Sequence, residues 1–540
     1  MAYDYDWLVI GSGFGGSVSA LRLSEKGYSV GVLECGRRFA DGELPRSTWD
    51  VRRYFWAPRL GMRGIFRLSI FKDVAIVSGA GVGGGSLGYA NTLYRARRRF
   101  YEDPQWAGLA DWEAELAPHY DTAERMLGVV AYDQDDHADD LLREYAREIG
   151  VEDTYAKTRV GVFLSEPGRT VPDPYFGGAG PDRTGCLRCG RCMVGCPHGA
   201  KNTLVKNYLW LAERAGAEVL PERMVVDVRP LGAPDGSEGY EVVTERPGAW
   251  LRRRRRTFTA RAVVLAAGAL GTNRLLAGAS LPRLSDRLGD LVRTNSEAIL
   301  AVTLPRGAPD ITRRVAITGS IYPDPETHIE TVVYGDAGDS MSALYTLLVG
   351  DGTRVTRPLK LLRAAARHPV TFLRLFDPRG WSRRTMIVLV MQTLDNAIAL
   401  RPRRTLGSGV RLQTEKDPER PLPTYIPVAN HFAQWLARRT GGVAQSSMME
   451  ALANIGSTAH ILGGAAIGAD PTSGVVDARQ RVFGYENLLV CDGAALPANV
   501  GVNPSLTITA MAEHAMSHVP PAEGYEAAVT SRAKASNTST

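Results

Sequence analysis

The segment from Asp6 to Glu34 constrains the fold more than any other part of the chain. The apolar run Trp7-Leu8-Val9-Ile10 leads into Gly11-Ser12-Gly13-Phe14-Gly15-Gly16, then a helix-like stretch from Ser17 to Glu25, a stop at Gly27, and a second apolar run from Ser29 to Leu33 that ends on Glu34. Strand, glycine turn, helix, strand and terminal carboxylate, in that order within about thirty residues, make a dinucleotide-binding unit. Gly11 makes the turn, Gly13 lets the backbone approach a pyrophosphate, and Gly16 lets helix and sheet pack closely. The helix N-terminus, where Phe14 and Gly15 fall, presents its positive end to the phosphates. Glu34 is placed to accept hydrogen bonds from the adenosine ribose hydroxyls, which disfavours a cofactor phosphorylated there. That leaves FAD or NAD.

A second glycine cluster, Ser78-Gly79-Ala80-Gly81-Val82-Gly83-Gly84-Gly85-Ser86, lies too far along the chain to belong to the first turn. A flexible surface loop of this composition normally has polar flanks, whereas this one follows the apolar strand Val74-Ala75-Ile76-Val77. The longer cofactor, FAD, is the better fit, with Gly81, Gly83, Gly84 and Ser86 as a second set of contacts and Asn91 shortly after them.

Four of the six cysteines occupy one run, Cys186, Cys189, Cys192 and Cys196, followed by Pro197. The C-x2-C-x2-C-x3-C-P spacing is that of a loop wrapped around an iron-sulfur cubane, with Gly190 and Gly195 permitting the tight turns. A structural zinc usually splits its cysteine pairs by a longer spacer, and free thiols are the third alternative. The expectation preferred on spacing is a [4Fe-4S] cluster.

At 540 residues, 44% of them hydrophobic, the chain suffices for two or three domain-sized units. Its 57 glycines exceed the roughly 7% usual in soluble chains, and much of the excess sits in these motifs. A net charge of +6 with scattered arginines gives little reason to expect a nucleic-acid partner. The run Arg252 to Arg256 is read as a solvated hairpin end between two strands. The sequence enters a strand almost at once with no leader pattern, and no stretch approaches the ~20 apolar residues of a membrane span. The expected location is cytoplasmic.

Five motifs taken together resemble the glucose-methanol-choline (GMC) oxidoreductases, within them the cholesterol oxidase-like branch. They are GSGFGGS at Gly11, GAGVGGGSLGYAN from Gly79, VVLAAGALGTNRLL from Val263, HILGGAAIG from His460 and NLLVCDGAALPANVGVNPSLTITAMAE from Asn487. The resemblance runs from about residue 5 to residue 518. It implies an α/β protein: a discontinuous Rossmann-like FAD-binding domain (1–37, 76–100, 198–295 and 446–518) and an α+β substrate or cap domain with an antiparallel sheet (38–75, 101–180 and 296–445); the cysteine run adds a small Cys-rich inserted loop (181–200), and the Ser-, Thr-, Ala- and Asn-rich end reads as a disordered tail (519–540). Val225, Ala267, Gly268, Asp492 and Gly493 complete the expected cofactor-binding set, with Asn503 and Pro504 flanking the flavin's reactive edge.

The resemblance further implies that His460 and Asn503 form the polar pair at the reacting centre. Alcohol oxidation needs a base for the hydroxyl proton while hydride passes to the flavin N5. Asn503 also suits a helix cap ahead of Pro504. A strand glutamate over the flavin is best matched by Glu330, which would take the hydroxyl proton and, for a 5-ene-3β-ol, move a proton to complete isomerisation. The cysteine run is a departure from well-known cholesterol oxidases. A cluster there would pass electrons to an external protein or quinone.

In the segment Pro358 to Phe376, leucines and phenylalanines alternate with Lys360, Arg363, Arg367 and Arg374. Such spacing suits an interfacial helix pair in peripheral contact with a membrane, although core packing with a solvated outer face is the preferred explanation. The expected function is FAD-dependent oxidation of a hydrophobic alcohol, a sterol 3-hydroxyl first, with electrons leaving through the cluster. The alternatives are a cholesterol oxidase using oxygen with isomerisation, a redox-neutral or C=C chemistry on a steroid or isoprenoid, and an electron-transfer flavoprotein with no alcohol substrate.

Overall fold

Trp7 to Ile10 are all buried, which puts the first strand (Tyr5–Ile10) inside a sheet covered on both faces. The structure, a computed structural model, describes residues 2–249, 254–405 and 409–525. The first strand pairs in parallel with Val30–Leu33 on one side and Arg256–Leu265 on the other. Glu218–Leu220 extends the parallel array beyond Val30–Leu33, and Leu488–Val490 pairs in parallel with Arg256–Leu265. Two antiparallel strands, Tyr240–Glu245 and Met224–Pro230, complete seven. The residues expected as a hairpin end between two strands fall in part outside the described residues, at 250–253.

The register gives this sheet its use. Leu33, Ile10, Leu265 and Val490 are aligned across the four central parallel strands. The strands therefore end at one level, and Glu34, Gly11, Ala266 and Cys491 emerge together at the carboxyl edge, where open α/β sheets bind ligands. The helix Phe14–Glu25 covers one face with the helix Ser505–Ser517. Arg22 donates to both oxygens of Glu513 at 2.8 and 2.7 Å, and the Tyr208 hydroxyl donates to the same carboxylate at 2.7 Å. Beyond this helix, the Ala522 N–H donates to the Lys26 carbonyl at 2.8 Å. The rest of the expected tail, 526–540, lies outside the described residues.

A second seven-stranded sheet is antiparallel throughout. Its order is Tyr345–Leu347, Val443–Ser447, Ala298–Thr303, Thr385–Gln392, Thr327–Val332, Ile317–Asp324 and Ala156–Lys157. The helices His137–Glu148 and Pro427–Thr440 cover one face and share a core with Leu300, Ile329, Val388 and Val390. A three-stranded sheet joins Phe66–Ile70 and Val74–Gly79 to Gly456–Thr458. It sets the segment before His460 beside the strand that feeds the second glycine loop.

The preference for core packing along 358–376 is corrected in part. In the helices Thr356–Arg367 and Pro369–Arg374, Arg357 and Leu361 are buried, but Leu359, Leu362, Val370, Leu373 and the following Phe376 are exposed. The periodicity was that of an amphipathic helix, and periodicity alone does not say which medium its apolar side meets.

Candidate active site

Gly11 has φ +105, and a Cβ there would stand 2.2 Å from the Ala266 carbonyl oxygen, so only glycine permits the turn between these strands. A Cβ on Gly16 would meet the Gly11 carbonyl oxygen at 2.0 Å, whereas one on Gly13 would meet nothing within 4 Å. Gly13 thus faces open space at the N-terminus of the helix Phe14–Glu25, which has no side-chain cap and no acidic residue in its first turn. Its first N–H groups are left for an anion. Gly15 is pressed against the last parallel strand, since a Cβ would lie 1.7 Å from the Cys491 carbonyl oxygen.

Glu34 is buried and ties the cradle together. It accepts from the Ser12 N–H at 3.1 Å, the Ser12 hydroxyl at 2.7 Å and the Gly36 N–H at 2.7 Å. The Ser12 hydroxyl also accepts from the Gly83 N–H at 3.1 Å, so the two glycine loops are joined by one side chain that the motif leaves unspecified. Gly81 lies against Gly36, whose added Cβ would meet the Gly81 nitrogen at 2.2 Å, and Gly84 lies against Gly13 in the same way at 2.7 Å. The Ser86 hydroxyl is engaged within the loop, donating to the Gly83 carbonyl at 2.7 Å. Val225 sits in the core two residues beyond Arg223, whose N–H donates to the Glu34 carbonyl at 2.8 Å.

Asp492 accepts from the Gly268 N–H at 2.8 Å, the Thr272 hydroxyl at 2.6 Å and the Ala494 N–H at 2.7 Å. Burial raises its pKa to about 6 against the pull of these donors. The carboxylate thereby pins the turn at Ala267 and Gly268, while a Cβ on Gly268 would meet nothing within 4 Å. Gly493 supplies its carbonyl to the Gly463 N–H at 2.7 Å and so fixes the loop that follows His460.

Several buried polar groups are left without partners. Both side-chain atoms of Asn91, which has φ +61, and Oδ1 of Asn503 are among them. An enclosed amide without partners costs about 1–3 kcal/mol, so such groups mark where a polar ligand belongs. The open positions at Gly13 and Gly268, the uncapped helix and these amides fit FAD. Asn503 does not cap the helix Ser505–Ser517: Pro504 occupies the N-cap position and no side chain bonds to the first turn. The expected capping role is therefore corrected: the side chain lies beside Glu330 and its Oδ1 remains open to a ligand.

At the other end of the site, Glu330 lies on Thr327–Val332 opposite Leu389 and Ser320. Ile329 faces the covering helices, so Glu330 points to the other face of the sheet. It is fully buried, and neither carboxylate oxygen has a hydrogen-bond partner. Burial pushes its pKa up to about 8; Asn503 and Tyr94 beside it favour the anion, and Glu297 opposes it. Neighbouring His328 is held neutral, its pKa lowered to about 3 by burial and then by Arg97. It stacks on Tyr322 at 4.6 Å and meets the edge of Tyr94 at 5.1 Å. The Tyr94 hydroxyl bonds to Thr158 at 2.9 Å and Ser320 at 3.2 Å.

His460 is oriented by Glu297, a residue no motif singled out. Nδ1 of His460 contacts Oε1 of Glu297, while Oε2 accepts from the Ala459 N–H at 2.9 Å. The His460 N–H donates to the Thr458 hydroxyl at 2.9 Å. Glu297 also lines a narrow pocket with Tyr425, Glu450 and Ser457. The one signal available was the polar run Arg293-Thr294-Asn295-Ser296-Glu297 ahead of an apolar strand. All five are buried, with Asn295 and Ser296 at positive φ.

The structure gives the expected cluster no support. Cys186 packs with Tyr132, Val160, Val162 and Ala200, and Cys192 and Cys196 pack against that group. Burial raises the Cys186 thiol to about 11 and holds Cys192 higher still, with the neighbouring thiols adding to it. Among the described residues, no group of three or more His, Cys, Asp or Glu side chains is arranged to hold a metal ion. Spacing brings the cysteines into one loop, and contacts beyond it fix where the loop sits. Lys201 supplies such contacts, donating to the carbonyls of Leu87 and Cys192 at 2.8 Å each, which ties the loop to the second glycine loop.

Comparison with known proteins agrees with this geometry. The family description "FAD dependent oxidoreductase" matches residues 6–329 and "GMC oxidoreductase" matches residues 385–512. A protein named cholesterol oxidase from Mycobacterium tuberculosis (strain ATCC 25618 / H37Rv) is 53% identical over 534 residues, 96% of this chain and 91% of the relative. The chain is a GMC oxidoreductase. A cholesterol oxidase from Acinetobacter baumannii is 47% identical to the oxidoreductase over 531 residues, 96% of this chain and 95% of the relative. Pyridoxine 4-oxidase from Mesorbium loti shares its fold with TM-score 0.61 at 15% identity, covering 95% and 99% of the two chains. The enzyme is thus an FAD-dependent oxidoreductase with a nucleotide-binding domain and a substrate domain. No helix among the described residues is long and apolar enough to cross a membrane.

Proposed function

We propose that this oxidoreductase oxidises the 3-hydroxyl of a sterol, with molecular oxygen as the electron acceptor and isomerisation of a 5-ene product to the conjugated ketone. The observation that carries the reading is Glu330, a fully buried carboxyl group set beside Asn503 and Tyr94. Relatives named cholesterol oxidase, 47% and 53% identical over nearly the whole chain, support the substrate class.

FAD, when bound, supplies the hydride acceptor that oxygen then reoxidises. Gly13, at the helix N-terminus with Phe14 and Gly15 in its first turn, would hold the phosphates; Gly11 and Gly16 give the turn and close packing that place it, and Glu34, through Ser12 and Gly83, fixes the two glycine loops. Gly81, Gly84 and Ser86 shape the second loop; Val225, Ala267, Gly268, Asp492, Gly493 and Pro504 set the backbone around the cofactor. The unpartnered amide atoms of Asn91 and Asn503 would supply hydrogen bonds to the cofactor and to the substrate hydroxyl.

Glu297 accepts from Nδ1 of His460, which leaves Nε2 to take the hydroxyl proton. Glu330, neutral below about pH 8, holds or releases a proton on the sterol ring. An electron exit through a cluster to an external acceptor forms no part of the proposal, because the relatives named cholesterol oxidase support the oxidase reading instead.

The test is anaerobic mixing with solubilised cholesterol followed by admission of oxygen. Bleaching of the flavin by the sterol, then peroxide equal to the ketone formed, is the expected result. A flavin that the sterol does not reduce would remove the substrate assignment. Reduction without peroxide would remove oxygen as the acceptor.

A further inference from the structure

The helices Thr356–Arg367 and Pro369–Arg374 are fastened on one side and bare on the other. On the inner side Leu361 joins a small core with Leu347, Val349 and Ala451, and Phe372 and Leu375 pack against it. Arg357, fully buried, donates to the Thr424 carbonyl at 2.8 Å, to Oδ1 of Asn454 at 3.0 Å and to Oε1 of Glu450 at 2.8 Å. On the outer side Leu359 is 59% exposed, Leu362 66%, Leu373 68% and Phe376 61%. These are large apolar groups, and monomeric soluble surfaces rarely gather so many in one place without a partner.

Charge identifies the partner. Residues 354–376 carry Arg354, Arg357, Lys360, Arg363, Arg367 and Arg374 and no Asp or Glu. Lys360, Arg363, Arg367 and Arg374 are exposed beside the bare leucines. Apolar anchors with cations around them, on short helices fixed to a rigid body, are the arrangement that lies in a lipid headgroup layer. The patch extends sideways: Arg354 donates to the Lys72 carbonyl at 2.6 Å, which joins these helices to the turn of a hairpin whose Leu68 and Ile70 are also exposed.

We infer that the helix pair 356–374 docks the enzyme on an anionic phospholipid bilayer, with Leu359, Leu362, Leu373 and Phe376 entering the headgroup boundary and Arg363, Arg367 and Arg374 meeting lipid phosphates. The inner anchor explains the position. Thr424 and Glu450, which hold Arg357, also line the pocket that reaches Glu297, the partner of His460. Docking on this face sets that pocket beside the medium in which a sterol is dissolved, a consequence that rests on the substrate reading above; the docking itself does not.

The test is co-sedimentation of the FAD-loaded enzyme with sterol-free vesicles, of phosphatidylcholine alone or with roughly one third phosphatidylglycerol. The wild-type chain is expected to sediment with the anionic vesicles. Leu359→Asp/Leu362→Asp/Leu373→Asp is expected to raise the lipid concentration needed on the order of a hundredfold. Arg363→Glu/Arg367→Glu/Arg374→Glu is expected to abolish the preference for phosphatidylglycerol. All substituted positions are exposed, and an unchanged flavin content with unchanged turnover of a cyclodextrin-solubilised alcohol verifies folding. Wild-type protein left in the supernatant with both vesicles, or a leucine variant that binds as the wild type does, overturns the docking. Binding without any turnover of solubilised sterol overturns the substrate reading and leaves the docking standing.

Discussion

Glu330 is enclosed, unpartnered and flanked by a second carboxylate, Glu297, so its proton is held far more tightly than that of an exposed glutamate. Burial lifts its pKa to about 8, above the ordinary glutamate value of 4.5. The sign follows: the folded state keeps a proton that the unfolded chain releases, so Glu330 disfavours folding progressively as pH rises from about 4.5 to about 8. Glu330→Gln should therefore raise the melting temperature more at pH 8 than at pH 5, by on the order of 2 °C, in thermal scans at both values. The same variant should lower the rate of conjugated-ketone formation by about 10²–10⁴-fold, read by product analysis. Glu297→Gln keeps the volume and removes the charge that orients His460. We expect kcat to fall about 10–100-fold with KM little changed, and the pH–rate profile to shift, which a purely structural substitution would not produce. The strand that carries Glu330 was legible in the sequence. Glu297 was not, because its partner lies 163 residues away and no local spacing records the pair.

At the scale of elements, close approach at the glycine helix carries the function. Gly15→Ala would drive a methyl group into the Cys491 carbonyl and separate the first helix from the last parallel strand. The expected outcome is protein purified with most of its flavin missing, measured as the ratio of visible to ultraviolet absorbance. The buried pair Arg357 and Glu450 fixes the outer helices; Glu450 keeps a raised pKa through burial although Arg357 draws it down. Arg357→Ala leaves that carboxyl group enclosed and alone, at a cost of about 3–5 kcal/mol, measurable by urea denaturation. The first strand, turn and helix were legible because their signals fall within one short window. The cysteine run was legible as a loop, whereas its packing against Tyr132 and Val160 and its tie to Lys201 come from residues that its spacing does not record. The leucines at 359, 362 and 373 read as an amphipathic pattern, which is the same whether the apolar side meets a core or a bilayer.

For the whole molecule, the antiparallel sheet, the parallel sheet and the pocket between Glu297 and Glu450 are built from segments scattered along the chain, so motif order revealed the family more readily than it revealed domain limits. FAD touches several of those segments when bound, and binding to the folded state alone should stabilise it by about 4 kcal/mol when free FAD is a thousand times its dissociation constant. Stripping the flavin should therefore lower the melting temperature, and adding it back should restore the loss in a concentration-dependent way. The pairing of Arg256–Leu265 with Leu488–Val490, and of the first helix with the one carrying Glu513, has a consequence for biosynthesis. The ribosome releases the N-terminal nucleotide-binding unit long before its closing strand exists, a delay of roughly 25–100 s at ordinary elongation rates. During that interval Val263 to Leu265 lack the strand that later covers them, so flavin loading is expected to follow translation rather than accompany it.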